Sequence, residues 1–203
     1  MIPKLNFVFS QIYNEILTAH LSDELKSMTQ EYASEEIMNK YIDEIKSIWK
    51  KEGNKTLKSI SSISGLNWKE NLLKVYLVTF NIPFSDPLTL PAYEDKSYFK
   101  AVLIHELIHQ IEIQDYKVNP FKWKKWIDYL QINYKKENIV TKGHILIYAI
   151  MTKLFIDNNS PDLLKLYKKL DKKDNSNEYG RAWNIVDSVG YNNLISKFKE
   201  LMK

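Results

Sequence analysis

The segment from Phe99 to Ile111 constrains the fold more than any other part of this 203-residue chain. Its apolar side chains lie on nearly all sides of a helix, a pattern typical of a buried helix. The same segment contains two histidines and a glutamate, in the order HELIH from His105 to His109. Burying an unpaired polar group costs free energy, so these side chains need partners. The sequence therefore predicts a buried central helix with a polar site on one face.

The spacing within HELIH fits a metal site. Histidines four residues apart on a helix project from the same face, so His105 and His109 can reach one ion. Glu106 lies one step round the helix, where its carboxylate can contact a metal-bound water without being a ligand. This is the sequence pattern of a zinc hydrolase with Glu106 as general base. The chain has no cysteine, so a metal must be held by His, Asp or Glu.

A catalytic zinc needs a third protein ligand, and three downstream residues are candidates. Asp115 has the spacing of the third ligand in extended HExxH motifs. It is disfavoured because Glu112 stands where those motifs need glycine to turn the chain. Glu137 and His144 are seven residues apart and share one helix face. His144 is favoured, because a histidine inside an apolar helix needs partners for its ring nitrogens. Glu137 stays open, although a carboxylate near a helix start also has a dipole explanation.

The remaining pattern predicts an α+β fold that is mostly helical, with a small β-sheet packed on the HELIH helix. The predicted strands are 4–10, 72–80 and 88–90. The predicted helices are 11–21, 23–51 with a fresh start at Ser34, 95–114, 120–134, 138–157, 161–170, 178–189 and 191–202. Residues 52–67 are predicted to form a loop. A single domain over 1–203 is expected, with an N-terminal helical part (1–70), a metal-site core (71–150) and C-terminal helices (158–203).

A buried helix with HELIH, the upstream strand Leu73–Phe80 and a later helix with a candidate ligand together resemble the zincin superfamily of metallopeptidases. The segments 137–145 and 179–186 are also similar to those of small prokaryotic and phage HExxH proteins. The resemblance implies a zincin-like fold and Zn²⁺ bound by the two HELIH histidines. It also implies that Glu106 activates a zinc-bound water to hydrolyse peptide bonds.

Amide hydrolysis also needs a group that stabilises the oxyanion beside the metal. Tyr148, one turn beyond His144 on the predicted helix, is the first candidate, and Arg181 is the second. Both residues have simpler interpretations. Tyr148 can be a core residue with a satisfied hydroxyl, and Arg181 can pair two helices.

Composition and charge restrict the partners. The net charge of +4, from 29 basic and 25 acidic residues, predicts by itself neither nucleic-acid nor membrane binding. No segment has the ~20 apolar residues of a membrane span, and the N-terminal segment lacks the features of a signal peptide. The sequence therefore predicts a cytoplasmic protein with no membrane partner, and the zincin resemblance implies a peptide or protein substrate.

The stretch from Phe121 to Trp126 interleaves lysines with aromatic residues, as single-strand nucleic-acid binders do. Inward packing of Phe121, Trp123 or Trp126, and Leu130, with the lysines in water, explains the same pattern, so nucleic acid is not the expected partner. Two alternative functions follow. One is a SprT-like protease that acts on nucleic-acid-bound proteins. The other is a non-catalytic zincin-like interaction or regulatory protein.

Overall fold

The computed structural model describes residues 1–19, 21, 34–80, 82–171 and 177–203. It is an α+β fold dominated by helices, as predicted. The strands are β1 (Lys4–Phe9), β2 (Leu72–Val78), β3 (Phe84–Ser85) and β4 (Leu88–Pro91). The helices of the described residues are α1 (Gln11–Thr18), α2 (Glu35–Ser64), α3 (Lys96–Val118), α4 (Pro120–Asn133), α5 (Ile139–Asp157), α6 (Pro161–Asp171), α7 (Glu178–Val189) and α8 (Tyr191–Leu201).

The chain divides into two compact units. The first contains residues 1–57 and 70–110, and the second contains residues 58–69 and 111–203. The expectation of a single domain stays a prediction.

The sheet belongs to the first unit and has the strand order β1-β2-β4-β3. β2 pairs in parallel with β1 and β4, and β4 pairs antiparallel with β3. Leu73, Val75 and Leu77 are buried and alternate with more exposed residues, so one face of β2 packs in the core. β4 confirms the strand predicted at 88–90. β3 was not predicted, because two residues are too few to show a strand periodicity.

The start of helix α2 confirms the predicted helix start at Ser34. The Oγ of Ser34 accepts a hydrogen bond from the Ile37 amide at 3.2 Å, which satisfies a free N–H of the first turn. Residues 23–33, which were predicted to belong to this helix, lie outside the described residues, as does His20.

The loop predicted at 52–67 is wrong over most of its length, because α2 continues to Ser64. Gly53, which fell within the predicted loop, lies inside this helix. In the structure, a Cβ at this position would lie 2.3 Å from the ring of Trp49. Glycine is therefore needed for close packing of the indole and does not end the helix.

Helix α3 places HELIH in its middle and is buried, as predicted. Leu107 and Ile108, between the two histidines, are 0% exposed. The Oδ1 of Asp95 accepts hydrogen bonds from the amides of the first turn, at 2.8 Å from Ser97 and 3.2 Å from Tyr98. Asp95 therefore caps the start of α3.

Helix α4 begins at Pro120, the first helical position, as predicted. Trp123 and Trp126 are buried and lie against Phe198 of α8, with ring centroids 5.3 and 5.4 Å apart. The prediction that Phe121 also packs inward is wrong, because its side chain is 87% exposed. Two residues on a helix differ by about 200°, so Phe121 and Trp123 lie on opposite sides of α4.

Helix α5 is the main core helix of the second unit and packs against α6, α7 and α8. It starts at the predicted position, where Asn138 Oδ1 accepts from the Thr141 amide at 2.9 Å. Its length and composition would allow it to cross a membrane, but 67% of the apolar window is buried inside the structure. The length and composition of α5 are weak evidence for a membrane span, since the core helix of a soluble protein can be equally long and apolar.

The side chain of Asn14 links α1 to the end of β2. Its buried Oδ1 accepts hydrogen bonds from the Thr79 amide at 2.7 Å and from the Thr79 hydroxyl at 3.1 Å. Asn14→Ala leaves two buried donors unpaired, so we expect the free energy of unfolding in urea to fall by about 1–3 kcal/mol. Glu15→Ala, at the next and exposed position, is the control and should change it by less than about 0.5 kcal/mol. Equal losses in the two variants would contradict the assignment.

Candidate metal centre

His105 and His109 face each other on α3. Their Nε2 atoms are 3.1 Å apart, and their ring centroids are 4.8 Å apart. Two nitrogen ligands at about 2.0–2.1 Å from a tetrahedral zinc ion are roughly 3.3 Å from each other. The observed separation is therefore close to the one that a shared ion requires. His105 is buried and His109 is half-buried.

Glu106 lies beside this pair and is only 4% exposed. Its Oε2 accepts a hydrogen bond from Ser85 Oγ at 2.9 Å, and its Oε1 is 4.0 Å from the Nε2 of His105. Burial raises the pKa of Glu106 to about 7, although the Ser85 hydrogen bond acts in the opposite direction. A carboxyl group with this pKa can both accept and release a proton near neutral pH.

Two residues that the sequence analysis did not single out hold this part of α3. Ser85, in β3, donates its hydroxyl proton to Glu106, and its main-chain carbonyl accepts from the side-chain amide of Gln110. Glu106 and Gln110 are one helical turn apart, so both bind Ser85 from the same face of α3. The helical spacing could have indicated Gln110. No local pattern could have indicated Ser85, because its place depends on strand pairing.

His144 lies on α5 and is half-buried. Its Nδ1 is 2.7 Å from the carbonyl oxygen of Val140. A carbonyl only accepts, so the ring donates from Nδ1 and its Nε2 has the lone pair that a metal ligand needs. The ring of Tyr179 packs edge-on against the imidazole, with centroids 4.8 Å apart. Burial lowers the pKa of His144 below its ordinary 6.5, which favours the neutral ring.

His105 and His109 belong to the first unit and His144 belongs to the second, and their binding of one ion stays a prediction. Three neutral imidazoles are the protein ligands of some catalytic zinc sites, and they also suit other first-row metals. The residues therefore fit a divalent transition-metal ion, without selecting zinc among these ions.

The two other candidates for the third ligand have different partners. Glu137 Oε2 accepts a hydrogen bond from Arg181 Nε at 2.8 Å. The carboxylate of Asp115 accepts from Trp123 Nε1 at 3.1 Å and forms an ion pair with Lys69 at 3.2 Å.

The contacts of Tyr148 and Arg181 agree with their simpler interpretations. The fully buried Tyr148 stacks on Trp183, with centroids 4.0 Å apart, and donates its hydroxyl proton to Asp171 at 2.7 Å. Burial and the nearby Asp171 raise the pKa of Tyr148. Its hydroxyl is thus satisfied within the core. Arg181, bonded to Glu137, connects α7 to the residue just before the cap of α5.

Protein-family models, curated proteins and solved structures were all compared with this chain, and none of them matches it. Membership of the zincin superfamily therefore stays a prediction from HELIH and its surroundings. Function has to be inferred from the chemistry of the site itself.

Proposed function

We propose that this protein is a zinc-dependent metallopeptidase in which His105, His109 and His144 bind the ion and Glu106 is the general base. The observation that best supports the proposal is the 3.1 Å approach of the His105 and His109 Nε2 atoms beside a buried carboxyl group. An HExxH helix with neutral imidazole ligands is the usual setting of catalytic zinc. The proposed partner is a peptide or protein substrate, and the proposed location is the cytoplasm.

The roles of the protein groups follow from their contacts. Zinc, when bound, supplies a Lewis acid that polarises a substrate carbonyl. Glu106 accepts a proton from the attacking water and returns it to the leaving amine. Ser85 holds the Oε2 of Glu106, which leaves Oε1, the oxygen nearer to His105, to exchange the proton. The Val140 carbonyl fixes the tautomer of His144.

The two alternatives differ from this proposal in testable ways. A protease that works on nucleic-acid-bound proteins would need exposed rings for base stacking. Two of the three rings between Phe121 and Trp126 are buried, since Trp123 and Trp126 are only 6% and 3% exposed. A non-catalytic zincin-like protein would fold with or without the metal and would not hydrolyse peptides. Metal content and hydrolysis therefore have to be measured on the same variants.

Substitution of Glu106 should abolish activity without loss of zinc. Protein purified without a polyhistidine tag should contain about one zinc per chain by elemental analysis. His105→Ala should lose the zinc, and Glu106→Gln should retain it. Cleavage of a peptide library, followed by mass spectrometry, should fall about 10²–10⁴-fold in Glu106→Gln, because the general base is lost. Zinc-loaded wild-type protein that cleaves nothing would support the non-catalytic alternative.

The third ligand can be identified with a matched pair of variants. His144→Ala should weaken zinc binding by more than about 100-fold, because loss of a ligand costs more than loss of a group that only orients one. Glu137→Ala removes the other open candidate and should leave zinc affinity unchanged. Competition with a chromophoric chelator measures both, and circular dichroism checks the fold. The reverse order of affinities would make Glu137 the ligand.

Ser85 should act by positioning Glu106. Ser85→Ala removes one hydrogen bond to the base, so kcat should fall about tenfold while KM and zinc content stay unchanged. Ser85→Thr retains a hydroxyl and should restore most of kcat. Loss of zinc from Ser85→Ala, or failure of threonine to rescue kcat, would instead indicate a role in folding.

A further inference from the structure

Gly143 lies within helix α5, directly before the candidate ligand His144. Glycine in the interior of a helix is less favourable than alanine, because it loses more conformational freedom on folding. Packing does not explain this glycine, since a Cβ built on it meets no atom of the described residues within 4 Å beyond its own stretch of helix backbone. Backbone conformation does not explain it either, because the described glycines with a positive φ are Gly65 and Gly190. The bare backbone at Gly143 therefore leaves room for a molecule from outside the chain.

Gly143 belongs to one exposed surface beside His144. Val140, Gly143 and His144 are three and four residues apart on α5, so they lie next to each other on one side of the helix. Val140 is 37% exposed, and Gly143 is exposed. The ring of Tyr179, which is 38% exposed, packs edge-on against the imidazole of His144. We call these four residues the Gly143 surface.

The charged residues near Tyr179 are matched by polar partners. Glu178, directly before Tyr179, accepts a hydrogen bond from the side-chain amide of Asn138 at 3.0 Å. Arg181 donates from its Nε to Glu137 at 2.8 Å. These bonds hold the start of α7 against the start of α5. The Gly143 surface therefore presents apolar and aromatic groups to a ligand, and the charges beside it already have partners.

We propose that the Gly143 surface binds an apolar side chain of the peptide substrate, next to the bond that is cleaved. This inference rests on the proposed function, in which the substrate carbonyl reaches an ion bound by His144. A substrate at that ion passes the imidazole, and the missing side chain at Gly143 allows it to approach α5 closely. The exposed parts of Val140 and Tyr179 lose water on contact with an apolar side chain, which stabilises the complex. Val140 and Tyr179 are thus specificity-determining residues.

Substitutions at Gly143 should change stability and peptide cleavage in opposite directions. Gly143→Ala should raise the midpoint of thermal unfolding by about 1–4 °C, because alanine favours the helix and its Cβ meets no neighbour. Gly143→Leu should raise KM for a cleaved peptide about tenfold, with kcat and zinc content unchanged, because its side chain fills the space that the substrate needs. Loss of zinc from Gly143→Leu would show a disturbed His144 and overturn the inference.

The substrate class is tested with the peptide library. Peptides that the wild type cleaves should have a large apolar residue on one side of the cleaved bond. Tyr179→Ala should raise KM for these peptides about tenfold, and Tyr179→Phe, which retains the ring, should recover most of the lost affinity. Ile156→Ala is the matched control, because it truncates a side chain that is 46% exposed near the other end of α5, and it should cleave like the wild type.

The possible outcomes separate this inference from the proposed function. Cleavage with no preference beside the cleaved bond, or an unchanged KM in Gly143→Leu and Tyr179→Ala, would overturn the inference and leave the metallopeptidase proposal intact. Zinc-loaded wild-type protein that cleaves no peptide would overturn both.

Discussion

A carboxyl group and imidazole rings within an apolar helix lose their contact with bulk water, and the structure has to provide other partners for them. For Glu106 the partner is the hydroxyl of Ser85, and for His105 and His109 one partner is the facing ring. The strand order of the sheet provides the partner of Glu106. β4 pairs with β2 on one side and with β3 on the other, and this pairing brings Ser85 to the helix. The chemistry proposed for Glu106 therefore depends on a two-residue strand.

In the second unit, several polar side chains form hydrogen bonds or ion pairs with other side chains. Asp171 accepts hydrogen bonds from both Tyr148 and Trp183, and burial nevertheless raises the pKa of this carboxyl group. Arg181 and Glu137 form a further pair. In such pairs each polar group is matched by another side chain. His144 differs, because its Nδ1 donates to a main-chain carbonyl and its Nε2 therefore carries a lone pair.

Patterns that act within one helix or strand were predictable from the sequence. The apolar periodicity, the helix starts near residues 95 and 138 and the spacing of HELIH depend on residues a few positions apart, and the structure agrees with each of them. The choice of His144 as the third ligand also rests on local reasoning, since a histidine in an apolar helix needs an explanation, and it stays a prediction.

The remaining features depend on which side chains pack together, and the sequence did not show this. Ser85 reaches Glu106 through the pairing of distant strands. Gly53 was assigned to a loop, although in the structure it packs against the ring of Trp49 one turn away in the same helix. Phe121 was assigned to the core together with Trp123 or Trp126, although the helical phase of the two buried tryptophans places it outside.

The carbonyl that orients His144 belongs to the preceding turn of the same helix. The imidazole and its support therefore move together as one body, and no loop is needed to keep the ring in place. A segment of this kind is a portable module: grafted onto another helical protein, it should present the same nitrogen in the same direction. Protein engineers who build metal sites on helical bundles often need a second residue to fix each imidazole, and here the helix backbone already provides it.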